Sequence, residues 1–247
     1  IDFVPVKRTS DYGPDYPLTN YNNLPGSDLC RQLDNNGLIA IEEADKIILI
    51  QEMLWNFRKN YSDFPGQPFL VNNKERTKYY AKLLPTAGLL IGLCWRSHLS
   101  SDLRNVNYVK IRQLEMIFNI EGITFVNLQY DHCEEELSWV EEKYPKKLLN
   151  ISELDQMNDL DAVASLITCL DFVIAPVGVV VELSGALGCD AFLLANHGEL
   201  LYRNLNKEGR DLWQNSVTHI KGSRIGDKES MINQLVGRLQ ALHKKEI

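Results

Sequence analysis

Apolar and polar positions alternate in two textures along the chain. From residue 88 onward, short runs of consecutive apolar residues recur, separated by stretches with helical spacing. Leu89–Trp95 and Ile123–Gln129 read as strands, Lys147–Ile151 as a short third strand, and 172–175 and 191–195 as two more. Runs of four or five apolar residues without alternation suit parallel strands covered on both faces. Between them, Tyr108–Asn119, Glu134–Tyr144, Asp159–Leu170 and about 178–187 carry helical patterns. Trp213–Ile220 reads as a last short strand and Lys228–His243 as a closing amphipathic helix. Strands alternating with helices of this length predict a parallel sheet with crossover helices.

Residues 1–40 lack this order. Ile1–Val6 fits a strand, but Tyr12-Gly13-Pro14, Leu24-Pro25-Gly26 and Asp34–Gly37 are turn chemistry. A helix is expected from Ile41 to about Asn60, where Ala44, Ile47, Ile48, Leu54 and Phe57 fall near one face. Tyr61–Pro68 reads as a linker, and Lys74–Leu84 as a basic helix stopped by Pro85. The expected organisation is a partial, irregular N-terminal segment at 1–85 and a Rossmann-like domain at 86–247.

Composition narrows the partners. The 247 residues are 45% hydrophobic and carry a net charge of −7, so a broad nucleic-acid or anionic-membrane surface is not expected. No apolar run approaches the roughly 18 residues of a membrane span. Five cysteines form no Cys-x-x-Cys pair, and Cys94, Cys169 and Cys189 sit in or beside apolar segments, as small core residues do. A reducing, cytoplasmic setting is the expectation. Five histidines show no ligand spacing. The chain begins at Ile1 without methionine, which leaves open that it is part of something longer.

In open α/β sheets, ligands bind beyond the carboxyl ends of the strands. That rule selects Arg96, Ser97, His98, Arg104 and Asn105 after the first strand, and Gln129, Tyr130 and Asp131 after the second. It also selects Ser152–Asp159 after the third, Pro176-Val177-Gly178 with Glu182 after the fourth, and Asn196 and His197 after the fifth. The turn at 176–180 offers backbone N–H groups at a helix N-terminus, which favours an anion. Arginine forks suit diphosphate oxygens, and Glu182 or Asp155 suits ribose hydroxyls. Plainer readings stand beside these. Arg96 and Arg104 can pair with Asp102, Glu134 or Asp131, Glu182 can be a solvated helix residue, and Asp159 or Asp161 can cap a helix. No Gly-x-Gly-x-x-Gly follows the first strand, and neither a P-loop nor a Gly-x-Ser-x-Gly elbow is present.

Five segments then occur in register: Ile91–Ser97 (IGLCWRS), Arg104-Asn105, Phe125–Tyr130 (FVNLQY), Asp159–Ile167 (DLDAVASLI) and Glu182–Gly188 (ELSGALG). Together they resemble the C-terminal half of bacterial glycosyltransferase-like proteins that often follow tetratricopeptide repeats. These are similar to lipopolysaccharide heptosyltransferases and, more distantly, to protein O-GlcNAc transferases. The resemblance covers about residues 65–245. It implies a GT-B architecture whose C-terminal Rossmann-like domain holds a nucleotide-sugar donor, for transfer to a protein or glycan acceptor. No metal or other cofactor is implied, and the outcome is inverting. The same resemblance implies that Arg96, Ser97, Arg104, Val177, Gly178 and Val179 lie at the diphosphate, and that Gln129, Tyr130, Asp155 and Glu182 lie near base and ribose. Two departures stand out. Where that pattern has Asp-Thr in the turn and His in the helix, this chain has Val177-Gly178 and Glu182. The family's general base belongs to the N-terminal domain, so no catalytic base is named. The alternative function is a catalytically inactive relative that uses the cleft only for binding; a different Rossmann-like enzyme, such as a nucleotide-sugar epimerase, is the remaining reading.

Overall fold

A computed structural model of the chain describes residues 35–48, 56–98, 105–195, 205–206 and 209–243. Contacts divide the chain into two units, Ile1–Asp63 and Phe64–Ile247; the expected boundary lay at 85/86.

In the first unit, α1 spans Asn35–Glu42. Asn35–Gly37 therefore opens a helix where a turn was expected, because the Asn and Gly that mark turns also mark helix starts. Of the helix expected over Ile41–Asn60, 41–42 fall in α1, 44–48 are irregular and 56–57 are helical, while 49–55 lie outside the described residues. Among the described residues of its apolar face, Ile48 remains 44% exposed and Phe57 61%. Near the end of the unit, the Asp63 carboxylate accepts from the Lys59 and Asn60 backbone N–H groups. The expected strand at Ile1–Val6 lies outside the described residues.

The second unit is built on six parallel strands: β1 (Leu89–Leu93), β2 (Ile123–Asn127), β3 (Leu148–Leu149), β4 (Phe172–Pro176), β5 (Ala191–Ala195) and β6 (Val217–Lys221). Their order across the sheet is β3-β2-β1-β4-β5-β6, and every pairing is parallel. β1 is buried throughout, as is β5, which is the reason their sequences are continuous apolar runs rather than alternating ones. The Asp171 carboxylate accepts from Leu90 N at 2.8 Å, pinning the start of β4 to β1.

The helices α2 (Lys74–Ala81), α3 (Glu115–Phe118), α4 (Glu134–Lys143), α5 (Leu160–Ile167), α6 (Val179–Leu187) and α7 (Lys228–His243) cover both faces. On one face, Ile91, Leu93, Phe125 and Leu194 pack with residues of α3, α4 and α7, including Phe118, Val140 and Leu235. On the other, Leu90, Val126, Val173 and Leu193 pack with Tyr80 of α2, Val163 and Leu166 of α5 and Val180 and Val181 of α6. This is the expected fold class, a Rossmann-like parallel sheet with helices on both faces.

Caps explain several boundaries. Asn73 accepts from Glu75 N and Arg76 N at the start of α2, and Asp159 accepts from Ala162 N at the start of α5, so the capping reading of Asp159 holds. α6 ends at Gly188, whose φ of 78° is a left-handed conformation that suits glycine. The helix expected at Tyr108–Asn119 begins as a 3-10 turn at Ile111–Leu114 and continues as α3. Among the described residues, no helix is long and apolar enough to cross a membrane.

Candidate functional site

Strand order reverses direction between β1 and β4, the point at which open sheets of this kind leave a crevice. Two strand exits meet there, Cys94–His98 after β1 and Val177–Val180 after β4.

The β1 exit is organised by Gln129, buried at 2% exposure. Its side-chain oxygen accepts from Trp95 N at 3.0 Å and Arg96 N at 3.1 Å. Its amide nitrogen donates to Arg96 O at 3.0 Å and to Asp131 Oδ1 at 2.8 Å. One side chain thus substitutes for a strand neighbour just where the ladder between β1 and β2 stops. Arg96 turns back onto acids of its own domain. Its Nε and Nη2 donate to the two Asp131 oxygens at 2.8 and 3.0 Å, and Nη1 lies 2.6 Å from Glu136 Oε2. Burial works against the Arg96 charge, but Glu136 and Asp131 outweigh it and hold its pKa above the ordinary arginine value. The Tyr130 hydroxyl donates to Ser97 Oγ at 2.7 Å, fastening the next residue. Burial pushes the Cys94 thiol up to about 12 and that of Cys133 to about 11, so neither is a poised nucleophile.

At the β4 exit the side chains are apolar. Gly178 precedes α6 in an extended conformation (φ 163°, ψ −177°) without a side-chain cap. Among the described residues, a Cβ added to it would meet nothing within 4 Å, so there is room beside Gly178. The first N–H groups of any helix lack intrahelical partners and carry the positive end of its dipole. Glu182, one turn in, is half-buried, and Gln214 Nε2 donates to its backbone oxygen at 3.2 Å and its carboxylate at 3.3 Å.

Two cavities open beside the β1 exit. One of about 240 Å³ brings Gln129, Tyr130 and Asp155 together with Asn150, Ser152 and Gln156, at the ends of β2 and β3. Asp155 itself closes a turn, accepting from Met157 N and Asn158 N, and Asn158 holds its carboxyl below the usual range. The other, about 390 Å³, includes Arg96 and Ser97. Val177, Gly178, Val179 and Glu182 line neither. Arg104, Asn196 and His197 lie outside the described residues. Among the described residues, no group of three His, Cys, Asp or Glu side chains is placed to hold a metal ion. The larger cavity also contains Lys110 and Lys228, which strand-end reasoning missed. One signal was available: Lys228 opens a helix, against the preference for acids at that end.

No family model matches the chain. Protein FlbA of Caulobacter vibrioides (strain ATCC 19089 / CIP 103742 / CB 15) is 30% identical over 148 residues, which are 59% of this chain and 25% of FlbA. The ADP-heptose lps heptosyltransferase II of E. coli superposes with a TM-score of 0.52 at 15% identity, over 77% of this chain and 58% of that one. A glycosyl transferase family 9 protein from Veillonella parvula DSM 2008 aligns over 69% of this chain and 47% of its own, with a TM-score of 0.48 and 12% identity. The chain therefore spans a quarter of FlbA and somewhat over half of the heptosyltransferase. What it shares with the heptosyltransferase is the fold.

Proposed function

We propose that the chain is the donor-binding part of a metal-independent GT-B glycosyltransferase, which moves a sugar from a nucleotide-sugar donor to a protein or glycan acceptor. One observation carries the reading: at the switch point, β4 feeds a helix N-terminus without a side-chain cap at Gly178, beside which no described residue approaches an added Cβ within 4 Å. Backbone N–H groups and the helix dipole there suit the leaving diphosphate, whose developing charge is what such a transfer must stabilise. The cavity at Gln129, Tyr130 and Asp155 is the neighbouring place for base and ribose. Arg96 enters this picture as a residue that shapes the crevice, since Asp131 and Glu136 already engage it. Association with tetratricopeptide repeats, a cytoplasmic setting and inversion at the sugar carbon belong to the same proposal.

A second reading, binding without transfer, is favoured by the apolar side chain of Val177 at the turn and by the engaged state of Arg96. Both readings need nucleotide binding, and the first adds turnover.

The test is a melting curve with UDP, GDP or ADP at millimolar concentration. At a hundredfold excess over Kd, a cognate nucleotide is expected to raise the melting temperature by about 5–10 °C. Gly178→Asp places a carboxylate where the diphosphate would sit without a steric clash, and it is expected to abolish the shift while leaving the unliganded protein at least as stable. If none of the three nucleotides shifts the unsubstituted protein, the reading fails.

A further inference from the structure

The sheet has two outer edges, and the fold treats them differently. Along β6, Arg210 forms an antiparallel bridge to Thr218 and Asp211 N donates to Val217 O at 2.9 Å, so the segment leading into Asp211 covers part of that edge. Along the outer side of β3, no strand pairs among the described residues. Phe125 N donates to Lys147 O, and Phe125 stands opposite Leu148 in the parallel ladder. That register turns the Leu148 N–H and C=O away from β2 and toward the outside. An edge left open in this way is a template for another strand.

A groove of about 920 Å³ runs along the same edge, and both Leu148 and Leu149 line it. Leu148 packs into the core beneath α4 and Leu149 into the core of the opposite face. The groove therefore follows the strand edge and belongs to neither face alone. Its α4 wall is acidic. Glu141 and Glu142 are exposed there, and the exposed Glu134 and Glu135 carry the ridge to the start of the helix. Glu141 accepts from Lys146 N at 3.1 Å, whereas the Glu142 carboxylate has no hydrogen bond or ion pair among the described residues. The other wall, at Pro85 and Leu149, is apolar.

We propose that this edge docks a basic, extended peptide segment of a partner protein, which adds to β3 as a further strand. Main-chain hydrogen bonds to Leu148 supply the affinity of such an addition, and side chains supply its specificity. Successive side chains of a strand point to opposite faces. A segment alternating lysine with apolar residues thus sets its ammonium groups against the α4 acids and its apolar residues over Pro85 and Leu149. A second copy of this chain fits poorly. α4 returns from the carboxyl end of β2 to the amino end of β3, so antiparallel pairing of two β3 edges sets Glu141 and Glu142 of one α4 beside Glu134 and Glu135 of the other. A two-fold interface has to be self-complementary, and here acid would face acid. None of Gln129, Tyr130 and Asp155 lines the groove, and the inference stands independently of the glycosyltransferase reading.

Isothermal titration of the chain with the capped peptide KVKTKVK tests it, beside KPKTKPK, which keeps the charge but loses main-chain donors, and EVETEVE, which reverses the charge. KVKTKVK is expected to bind at submillimolar concentration, KPKTKPK at least about tenfold more weakly, and EVETEVE not at all. Glu142→Lys is expected to weaken KVKTKVK by about tenfold or more, the size of a lost charge-assisted contact turned repulsive. The conservative Glu142→Gln is expected to weaken it less, and the exposed control Glu229→Lys not at all. Bound KVKTKVK is also expected to slow hydrogen exchange at the Leu148 amide by at least about tenfold, the mark of a new main-chain hydrogen bond. Equal affinity for KPKTKPK would reduce the contact to charge attraction and overturn strand addition. Unchanged exchange at Leu148, absence of KVKTKVK binding at millimolar concentration, or binding indifferent to Glu142→Lys would each overturn the site. If the peptide-free chain sediments as a dimer in which the Leu148 amide is already protected, a second copy fills the edge and the proposal fails.

Discussion

At the end of β1 the backbone is held by side chains, whereas at the end of β4 it passes straight into a helix that has no side-chain cap at Gly178. The Gln129 side chain alone makes five polar contacts to the residues leaving β1 and to Asp131. Arg96, Asp131, Glu136 and Tyr130 extend that wiring. Across the switch point, Val177, Gly178 and Val179 offer no polar side chain, and Gln214 reaches the helix at Glu182. Polar residues at a strand end therefore do not identify a ligand site by themselves. On one side they are consumed in fixing the loop, and on the other the capacity to attract an anion resides in backbone groups.

The largest expected effect breaks the wired side. Gln129→Leu keeps the volume but removes the acceptor for Trp95 N and Arg96 N and the donor to Arg96 O. Buried groups left unpaired in this way cost about 2–4 kcal/mol in total, measured by urea denaturation at neutral pH. A loss below about 1 kcal/mol, the net worth of a single ordinary hydrogen bond, would show that water replaces these contacts and that the exit is not held by Gln129.

A smaller effect tests a polar tether on the other side, from Gln214 to Glu182. A Cβ on Gly185 would lie 2.0 Å from Gln214 Oε1 and 2.8 Å from its Cβ. Gly185→Ala must therefore displace a residue that is itself buried, despite the helix-favouring nature of alanine. The expected loss is about 1–3 kcal/mol, as for other overpacked positions, read from the same denaturation curves. Unchanged stability would mean that Gln214 moves freely and does not hold Glu182.

The same contrast explains what was legible in the sequence. β5 and α7 occur at the expected residues, 191–195 and Lys228–His243, because burial on both sheet faces and a long amphipathic repeat each leave an unambiguous pattern. The apolar runs Leu89–Trp95 and Ile123–Gln129 extend two residues beyond the carboxyl ends of β1 and β2. Trp95 and Gln129 are as buried as strand residues, yet their backbones leave the ladder, and the Gln129 side chain takes over its bonding. Side chains that complete a ladder look like strand continuations in one dimension. Within the helix expected from Ile41, residues 44–48 are irregular for a different reason: periodicity predicts a face, but only a packing partner makes that face stable, and Ile48 stays exposed. For the site, the plain alternative that Arg96 pairs with Asp131 was open from the sequence, and the geometry selects it. The Glu136 partner and the convergence of Lys110 with Lys228 were not legible, since nothing local ties residues that far apart.

The smallest effect sharpens the open side. Gly178 has an extended backbone that any residue adopts, and a Cβ there meets no atom of the described residues within 4 Å. Gly178→Ser would supply the hydroxyl acceptor that an N-cap normally gives to the second or third N–H of α6. Glycine is already a tolerable cap, so the gain is only a few tenths of a kcal/mol, seen as a small rise in melting temperature. The sign carries the information. A gain means that the uncapped turn is not the best choice for stability, which is the pattern expected where backbone N–H groups are kept for a ligand. A loss would mean that Gly178 is required by the fold itself, and the difference between the two strand exits would then be one of architecture alone.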